Sequence, residues 1–303
     1  RDTLTMKLLA NGIQIEVADT EPAGAPYGRP VVLLIMGLGM QLIAWPPALV
    51  DGLVAAGYRV VRFDNRDIGL SHHFDHLGVP NVLLASLKLK LGLQPSPPYR
   101  LQDMAADAIG VLDALGIAKA HVLGVSMGGM IAQRVVLAAP QRVASLISVM
   151  SSSGARGLPE ADTKVLRALL SQPADRSAEA LLAHTLRLIK LIGSPGFPAN
   201  EALQRERILA GLQRSYHPAG TLRQMVAIGA DVGHRAKALG QIQCPTLVIH
   251  GKADRLVPYA CGLDTAQRIP GAEMVGIDGM GHDLPPGVVD RLVGPLLTHL
   301  RAA

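Results

Sequence analysis

Residues 124–128 read Gly-Val-Ser-Met-Gly, and they join two unlike runs. His-Val-Leu-Gly-Val (121–125) is apolar and has the length of a buried strand, whereas residues 130–139 are rich in Ala, Gln, Val and Leu and fit a helix. A strand that enters a helix through so short a turn leaves the backbone little choice. The central residue is forced into a strained conformation. A Cβ at Gly124 or Gly128 would strike the neighbouring chain, so glycine is needed at both. The Ser126 hydroxyl then stands clear of the sheet, at the positive end of the following helix. The plainer account of Ser126, a turn serine capping the helix that begins near Met127, explains that one residue and nothing downstream.

A serine hydroxyl is a weak nucleophile at neutral pH and needs a base to take its proton. The usual base is a histidine held in one tautomer by a carboxylate. Both partners follow Ser126 in the chain. Pro-Thr-Leu-Val-Ile-His-Gly (245–251) reads as a short apolar strand, and Lys-Ala-Asp-Arg-Leu-Val-Pro (252–258) puts Asp254 in the loop after it. Glu-Met-Val-Gly-Ile (273–277) reads as another strand, and Asp-Gly-Met-Gly-His (278–282) puts His282 in the next loop. Ser126, Asp254 and His282 are therefore expected just past the carboxyl ends of parallel strands, the edge where open α/β sheets bind ligands. The competing acids fit less well. Asp264 is expected on the helix after the loop, and Asp278 and Asp283 lie too near His282 in sequence to form a separate orienting arm.

These segments resemble the α/β-hydrolase superfamily over essentially the whole chain. The resemblance rests on Val-Val-Leu-Leu-Ile-Met-Gly-Leu-Gly, Phe-Asp-Asn-Arg-Asp-Ile-Gly-Leu-Ser, Gly-Val-Ser-Met-Gly-Gly-Met and His-Gly-Lys-Ala-Asp-Arg-Leu-Val-Pro. It is strongest toward bacterial esterases with a Gly-x-Ser-Met-Gly-Gly elbow, the aclacinomycin methylesterase group among them. That group has Met-Gly where many relatives have His-Gly, and this chain reads Met36-Gly37. The resemblance implies a Ser126–His282–Asp254 triad and an oxyanion hole built from the backbone N–H groups of Leu38 and Met127. It implies a serine esterase that cleaves carboxylic esters through an acyl-enzyme. The same triad would also serve C–C bond hydrolysis, enol-lactone opening or cofactor-free perhydrolysis, and a ligand-binding protein on a hydrolase scaffold is the remaining alternative. The segment after the elbow helix, Ser-Leu-Ile-Ser-Val-Met-Ser-Ser-Ser-Gly (145–154), lacks the carboxylate that some relatives carry there, which favours Asp254.

Strand and helix patterns alternate as in a mostly parallel sheet flanked by helices. Strands are expected at about 5–10 and 13–18, then at 31–36, 58–64, 121–125, 146–150, 245–250 and 273–277. Helices are expected at 43–56, 103–115, 127–139, 259–268 and 288–300. Between about 155 and 237 only helical periodicity remains, at 162–170, 177–192, 200–214 and 221–228, broken by Gly-Ser-Pro-Gly-Phe-Pro (193–198). The expected organisation is an α/β-hydrolase core, 1–154 and 238–303, with a helical cap at 155–237 acting as a lid over the site. A further insertion at 76–98 carries a leucine stripe and then Pro-Ser-Pro-Pro. It reads either as the lining of an apolar or lipid-facing mouth or as a short helix packed on the cap. Asp64 and Arg66 resemble the loop-tying pair of the family turn after the second core strand, and Asp67 stands where glycine is common; this turn is read as structural.

Nearly half of the 303 residues are hydrophobic, enough for a large core. No apolar stretch reaches the roughly 18 residues that a transmembrane helix needs. The net charge is +5, but the basic residues are dispersed, so no nucleic-acid partner is expected. Cys244 and Cys261 have neither metal-ligand spacing nor a disulfide framework. His72, His73, Asp75 and His76 cluster in sequence, yet the proposed chemistry needs no metal, and the cluster reads as solvated. Gly37-Leu-Gly39 lacks the third glycine of a dinucleotide fingerprint, so no cofactor is expected. The amino terminus shows no signal-peptide pattern and does not begin with Met; a cytoplasmic protein is expected, with a removed leader and a homodimer both left open.

Overall fold

The structure is a computed structural model that describes residues 4–21 and 28–303. The first three residues, which carry part of the amino-terminal expectation, lie outside the described residues. Eight strands form one sheet in the order β1-β2-β4-β3-β5-β6-β7-β8. They are β1 (Leu4–Ala10), β2 (Ile13–Asp19), β3 (Val31–Ile35), β4 (Arg59–Phe63), β5 (Ala120–Val125), β6 (Val143–Val149), β7 (Thr246–Gly251) and β8 (Glu273–Ile277). β1 and β2 pair antiparallel, as do β2 and β4, and the pairs from β4 to β8 are parallel.

Period-two alternation in the central strands feeds two cores. Leu33 and Ile35 of β3 face one cluster, with Val61, Phe63 and residues of α3 (Leu101–Ala114) and α4 (Met127–Ala138). Val32 and Leu34 face the other, with Leu49 and Leu53 of α1 (Pro47–Ala55) and Val289 and Leu292 of α11 (Pro286–Ala302). Both faces are covered, which is why β3 and β5 are buried along their whole length. Each such side chain contributes about 1.5–3 kcal/mol of burial. That anchors the strand ends from which the site loops emerge.

Element boundaries differ from the sequence expectation where proline intervenes. The expected helix 43–56 is split into a 3₁₀ turn at Leu42–Ala44 and α1, because Pro46 and Pro47 lack N–H donors and Pro47 is suited only to the first helical turn. The helix expected at 221–228 starts at Pro218, where proline fits the first helical position. Between β6 and β7 stand α5 (Thr163–Leu169), α6 (Ala178–Ile192), α7 (Glu201–Arg214), α8 (Pro218–Asp231) and the short α9 (Arg235–Ala238), which periodicity did not reveal. α10 (Tyr259–Arg268) separates β7 from β8. The leucine-rich insertion forms α2 (Val82–Lys90), whose Leu89 packs against Gly229 of α8. The segment is therefore a short helix in contact with α8. Among the described residues, no helix is long and apolar enough to cross a membrane.

Candidate active site

Ser126 sits between β5 and α4 with φ +55° and ψ −123°, a region that L residues avoid. The strain is held by several bonds. Its N–H donates to Val149 O (2.9 Å), and its carbonyl accepts from Gly129 N (2.9 Å) and Ser151 Oγ (2.7 Å). A Cβ at Gly124 would overlap the Gly128 carbonyl, and one at Gly128 would overlap Ile35 O. The close crossing of β3, β5 and α4 therefore requires both glycines.

Asp254 and His282 emerge from the neighbouring strand ends and meet this serine. His282 Nε2 lies 3.0 Å from Ser126 Oγ, and His282 Nδ1 lies 2.7 Å from Asp254 Oδ2. With a carboxylate at Nδ1, that nitrogen carries the proton and Nε2 is left to accept from the serine hydroxyl. Asp254 and His282 are both buried. The second oxygen of Asp254 accepts from the N–H groups of Leu256 and Val257, each at 2.9 Å. Burial opposes the Asp254 charge, but His282, His250 and the Val257 N–H outweigh it and bring the carboxyl down to about 2. The competing acids are engaged elsewhere. Asp264 pairs with Arg268 on α10, Asp278 with Lys252, and Asp283 accepts from Ser194.

The Leu38 loop lies against the serine: a Cβ on Gly37 would stand 3.2 Å from Ser126 Cβ. Met127 N is the first N–H of α4, and such a donor has no intrahelical acceptor. Two side chains hold the Leu38 loop. Asn65 Nδ2 donates to Met36 O (2.9 Å), and Gln224 Oε1 of α8 accepts from Gly39 N (3.0 Å). Gln224 in turn donates to Arg66 O (3.0 Å). Sequence reasoning missed Gln224, since nothing local marks a glutamine whose partner lies 185 residues away.

His250 was also missed, although it stands four residues before Asp254. Its ring is fully buried, Nε2 donates to Val257 O at 2.7 Å, and the same nitrogen lies 3.5 Å from Asp254 Oδ2. The ring is packed so closely on α10 that a Cβ on Gly262 would overlap it. The adjacent pair of glycine and histidine at the end of β7 was the available signal.

The Asp64–Asp67 turn is structural, as its sequence indicated, and it ties the core to the helices after β6. Asp64 accepts from Leu42 N and from Arg214, both at 2.7 Å. Asp67 takes φ +71°, which is why glycine suits this position, and it makes a fully buried two-point pair with Arg223 at 2.8 Å. His73 and Asp75 join His217 rather than His72 and His76, with candidate ligand atoms within 4.8 Å of one another. The His73 and His217 rings are stacked at 3.8 Å and 9°, so their in-plane lone pairs run side by side and do not converge on one ion. The His217 nitrogens face Asp67 O and Asp75 Oδ1, both at 2.7 Å.

A cavity of about 190 Å³ opens beside the triad, lined chiefly by apolar side chains that include Met130, Leu158, Pro159, Ile228, Val232 and Val257. None of the three triad side chains lines it. It neighbours them through Met130, whose N–H donates to Ser126 O, and through Val257, whose N–H holds Asp254.

A family model described as the alpha/beta hydrolase fold matches residues 30–285. The chain is 31% identical to rhodomycin D methylesterase DnrP of Streptomyces peucetius, with 93% of each chain covered. It is 30% identical to a 2-hydroxy-6-oxononadienedioate/2-hydroxy-6-oxononatrienedioate hydrolase of Cupriavidus pinatubonensis, covering 84% of this chain and 81% of that one. Among solved structures it is similar in fold to the meta-cleavage product hydrolase CumD of Pseudomonas fluorescens, with TM-score 0.73, 20% identity and 98% and 97% of the two chains covered. An enol-lactonase from Burkholderia xenovorans aligns with TM-score 0.69 at 20% identity, over 98% of this chain and all of that one.

Proposed function

The chain belongs to the α/β-hydrolase fold family, and on that premise we propose that it is a serine hydrolase of carboxylic esters in which Ser126, His282 and Asp254 act together. Ser126 Oγ attacks the ester carbonyl while His282 Nε2 takes its proton. Asp254 orients the imidazole and stabilises its charged form. The Leu38 and Met127 N–H groups receive the tetrahedral oxyanion; removing one such donor costs about 10²–10³ in rate. His282 then protonates the departing alkoxide. Water attacks the acyl-enzyme by the same route, giving up its proton to His282 and releasing the acid. The observation that carries this reading is the continuous relay of 3.0 and 2.7 Å from Ser126 through His282 to Asp254. The methylesterase relative supports the ester as substrate.

The helices of 155–237 act as the lid. Support comes from their place between β6 and β7, at the edge where the three loops emerge. The 190 Å³ cavity between lid and core takes the apolar acyl or alcohol group.

The C–C hydrolase relative supports a second reading in which the same triad cleaves a vinylogous diketone. A panel of p-nitrophenyl esters of varied acyl size, run beside such a dienoate and beside Ser126→Ala, separates the two. Ester turnover that vanishes in Ser126→Ala, with negligible dienoate cleavage, is the expected result. Dienoate turnover exceeding ester turnover reverses the assignment. Fluorophosphonate labelling of a folded sample that fails to depend on Ser126 removes the serine mechanism altogether.

A further inference from the structure

We propose that α2 seats the protein on an anionic lipid surface. The helix is apolar on two sides, and among the described residues only one of them packs on another element. Leu89 faces α8 and packs on Gly229. At roughly 100° per residue, Leu83, Leu84, Leu87 and Leu91 fall within about 100° of arc on the opposite side. They are 70%, 50%, 53% and 66% exposed. Val79 before the helix and Leu93 after it extend the patch, at 65% and 56%. Scattered exposed leucines are ordinary, but a continuous apolar face on a helix none of whose residues is buried marks a contact surface.

Charge selects the partner. On the same helical wheel Lys90 borders the leucine arc on one side and Lys88 on the other. No Asp or Glu occurs anywhere from 76 to 102. This is the layout of a helix lying in a membrane interface, with leucines directed into the acyl boundary and lysines reaching back to anionic headgroups. A second copy of the chain fits less well. A two-fold contact through this face would set one Lys88–Lys90 pair against its own copy.

The test uses the whole chain with vesicles of phosphatidylcholine alone and of phosphatidylcholine with phosphatidylserine, read by flotation. Binding should be stronger to the phosphatidylserine vesicles and should weaken with added salt. The double variant Leu83→Gln/Leu87→Gln should bind both vesicle types about tenfold or more weakly. Lys88→Glu/Lys90→Glu should lose the preference for phosphatidylserine while keeping residual binding. Circular dichroism and turnover of a water-soluble short ester should be unchanged in both variants, since none of these residues touches the triad. Failure of the wild-type chain to float with either vesicle overturns the proposal. So does unchanged binding by the leucine variant. Self-association that the leucine variant abolishes, without vesicle binding, assigns the face to a second copy instead.

Discussion

The acid loop and the histidine loop converge on one serine, yet they are held from different places. Asp254 is fixed almost entirely by its own segment. Leu256 and Val257 donate to it, and His250 anchors the Val257 carbonyl, so the bonds lie within eight residues of chain. The histidine loop accepts from Ala253 N at Met280 O (2.9 Å) and otherwise bonds to the segment 192–196 between β6 and β7. His282 N donates to Ile192 O (2.7 Å), Gly281 N to Ser194 Oγ (2.9 Å), and Gly196 N to Gly279 O (2.9 Å). A Cβ on Gly281 would overlap the Ile192 and Gly193 carbonyls. The base is therefore bonded through its own backbone to the segment between β6 and β7, whereas the Asp254 carboxylate is held from within its own loop. That loop meets the same segment only one residue on, where Arg255 O accepts from Asp162 N (2.9 Å) and the Arg255 guanidinium pairs with Asp162.

The largest break in this comparison is at the acid. Asp254→Asn keeps an acceptor for Leu256 and Val257 but offers His282 Nδ1 an uncharged and ambiguous partner. Loss of the charge that fixes the tautomer and stabilises the imidazolium is expected to lower kcat by about 10⁴. Thermal stability should change far less. Steady-state kinetics on a p-nitrophenyl ester, with a melting curve, checks this; a loss under tenfold would mean that the carboxylate does not orient the base.

The same contrast explains which parts of the site could be read from sequence. Ser126 was legible because a strand, two glycines and a helix start dictate its conformation locally. Asp254 and His282 were legible because each follows an apolar strand and sits in a loop with few alternatives. The sheet was legible because buried strands such as Val31–Ile35 are continuous apolar runs. Gln224, Ser194 and Asp283 were not legible, since each acts on a partner more than 80 residues away. The Gly193–Gly196 stretch read only as a helix break, and its role as a clamp on the histidine loop appears once the cap is docked. The leucine stripe of 82–93 was visible, but which side of it α8 covers depends on tertiary packing.

Acid titration sharpens the comparison, because the carboxylates of the two loops respond in opposite directions. Asp254 has its pKa brought down to about 2 from an ordinary 3.8. Its contribution, about 2 kcal/mol, is complete above the unfolded value and is lost as pH falls from near 4 toward 2. Burial raises the Asp283 carboxyl against the bonds from Ser194. Its contribution has the other sign: it is present below the unfolded value and lost as pH rises through the folded one. Denaturant unfolding between pH 2 and 5 should show a steeper acid loss for wild type than for Asp254→Asn. Asp283→Asn should leave that acid loss in place and remove a destabilising term at neutral pH. Identical slopes for wild type and Asp254→Asn would show that the acid loop carries no linked proton.

The smallest expected effect is the most selective for the cap's hold on the base. Ser194 Oγ accepts from Gly281 N and donates to Asp283, and Ser194 N donates to Asp283 Oδ1 at 2.9 Å. Ser194→Ala removes the hydroxyl and keeps the backbone bond, so one buried N–H and one carboxylate oxygen lose a partner. Such losses cost about 1–3 kcal/mol. Part of this should appear as a looser histidine loop, with kcat about tenfold lower and KM little changed. The corresponding change in the acid loop, Val257→Ala, keeps every backbone bond to Asp254 and should leave the chemical step nearly untouched. If Ser194→Ala lowered only the melting temperature and left kcat intact, the clamp would serve folding alone. The hold on the base would then rest on the Ile192 carbonyl and the Gly196–Gly279 backbone bond.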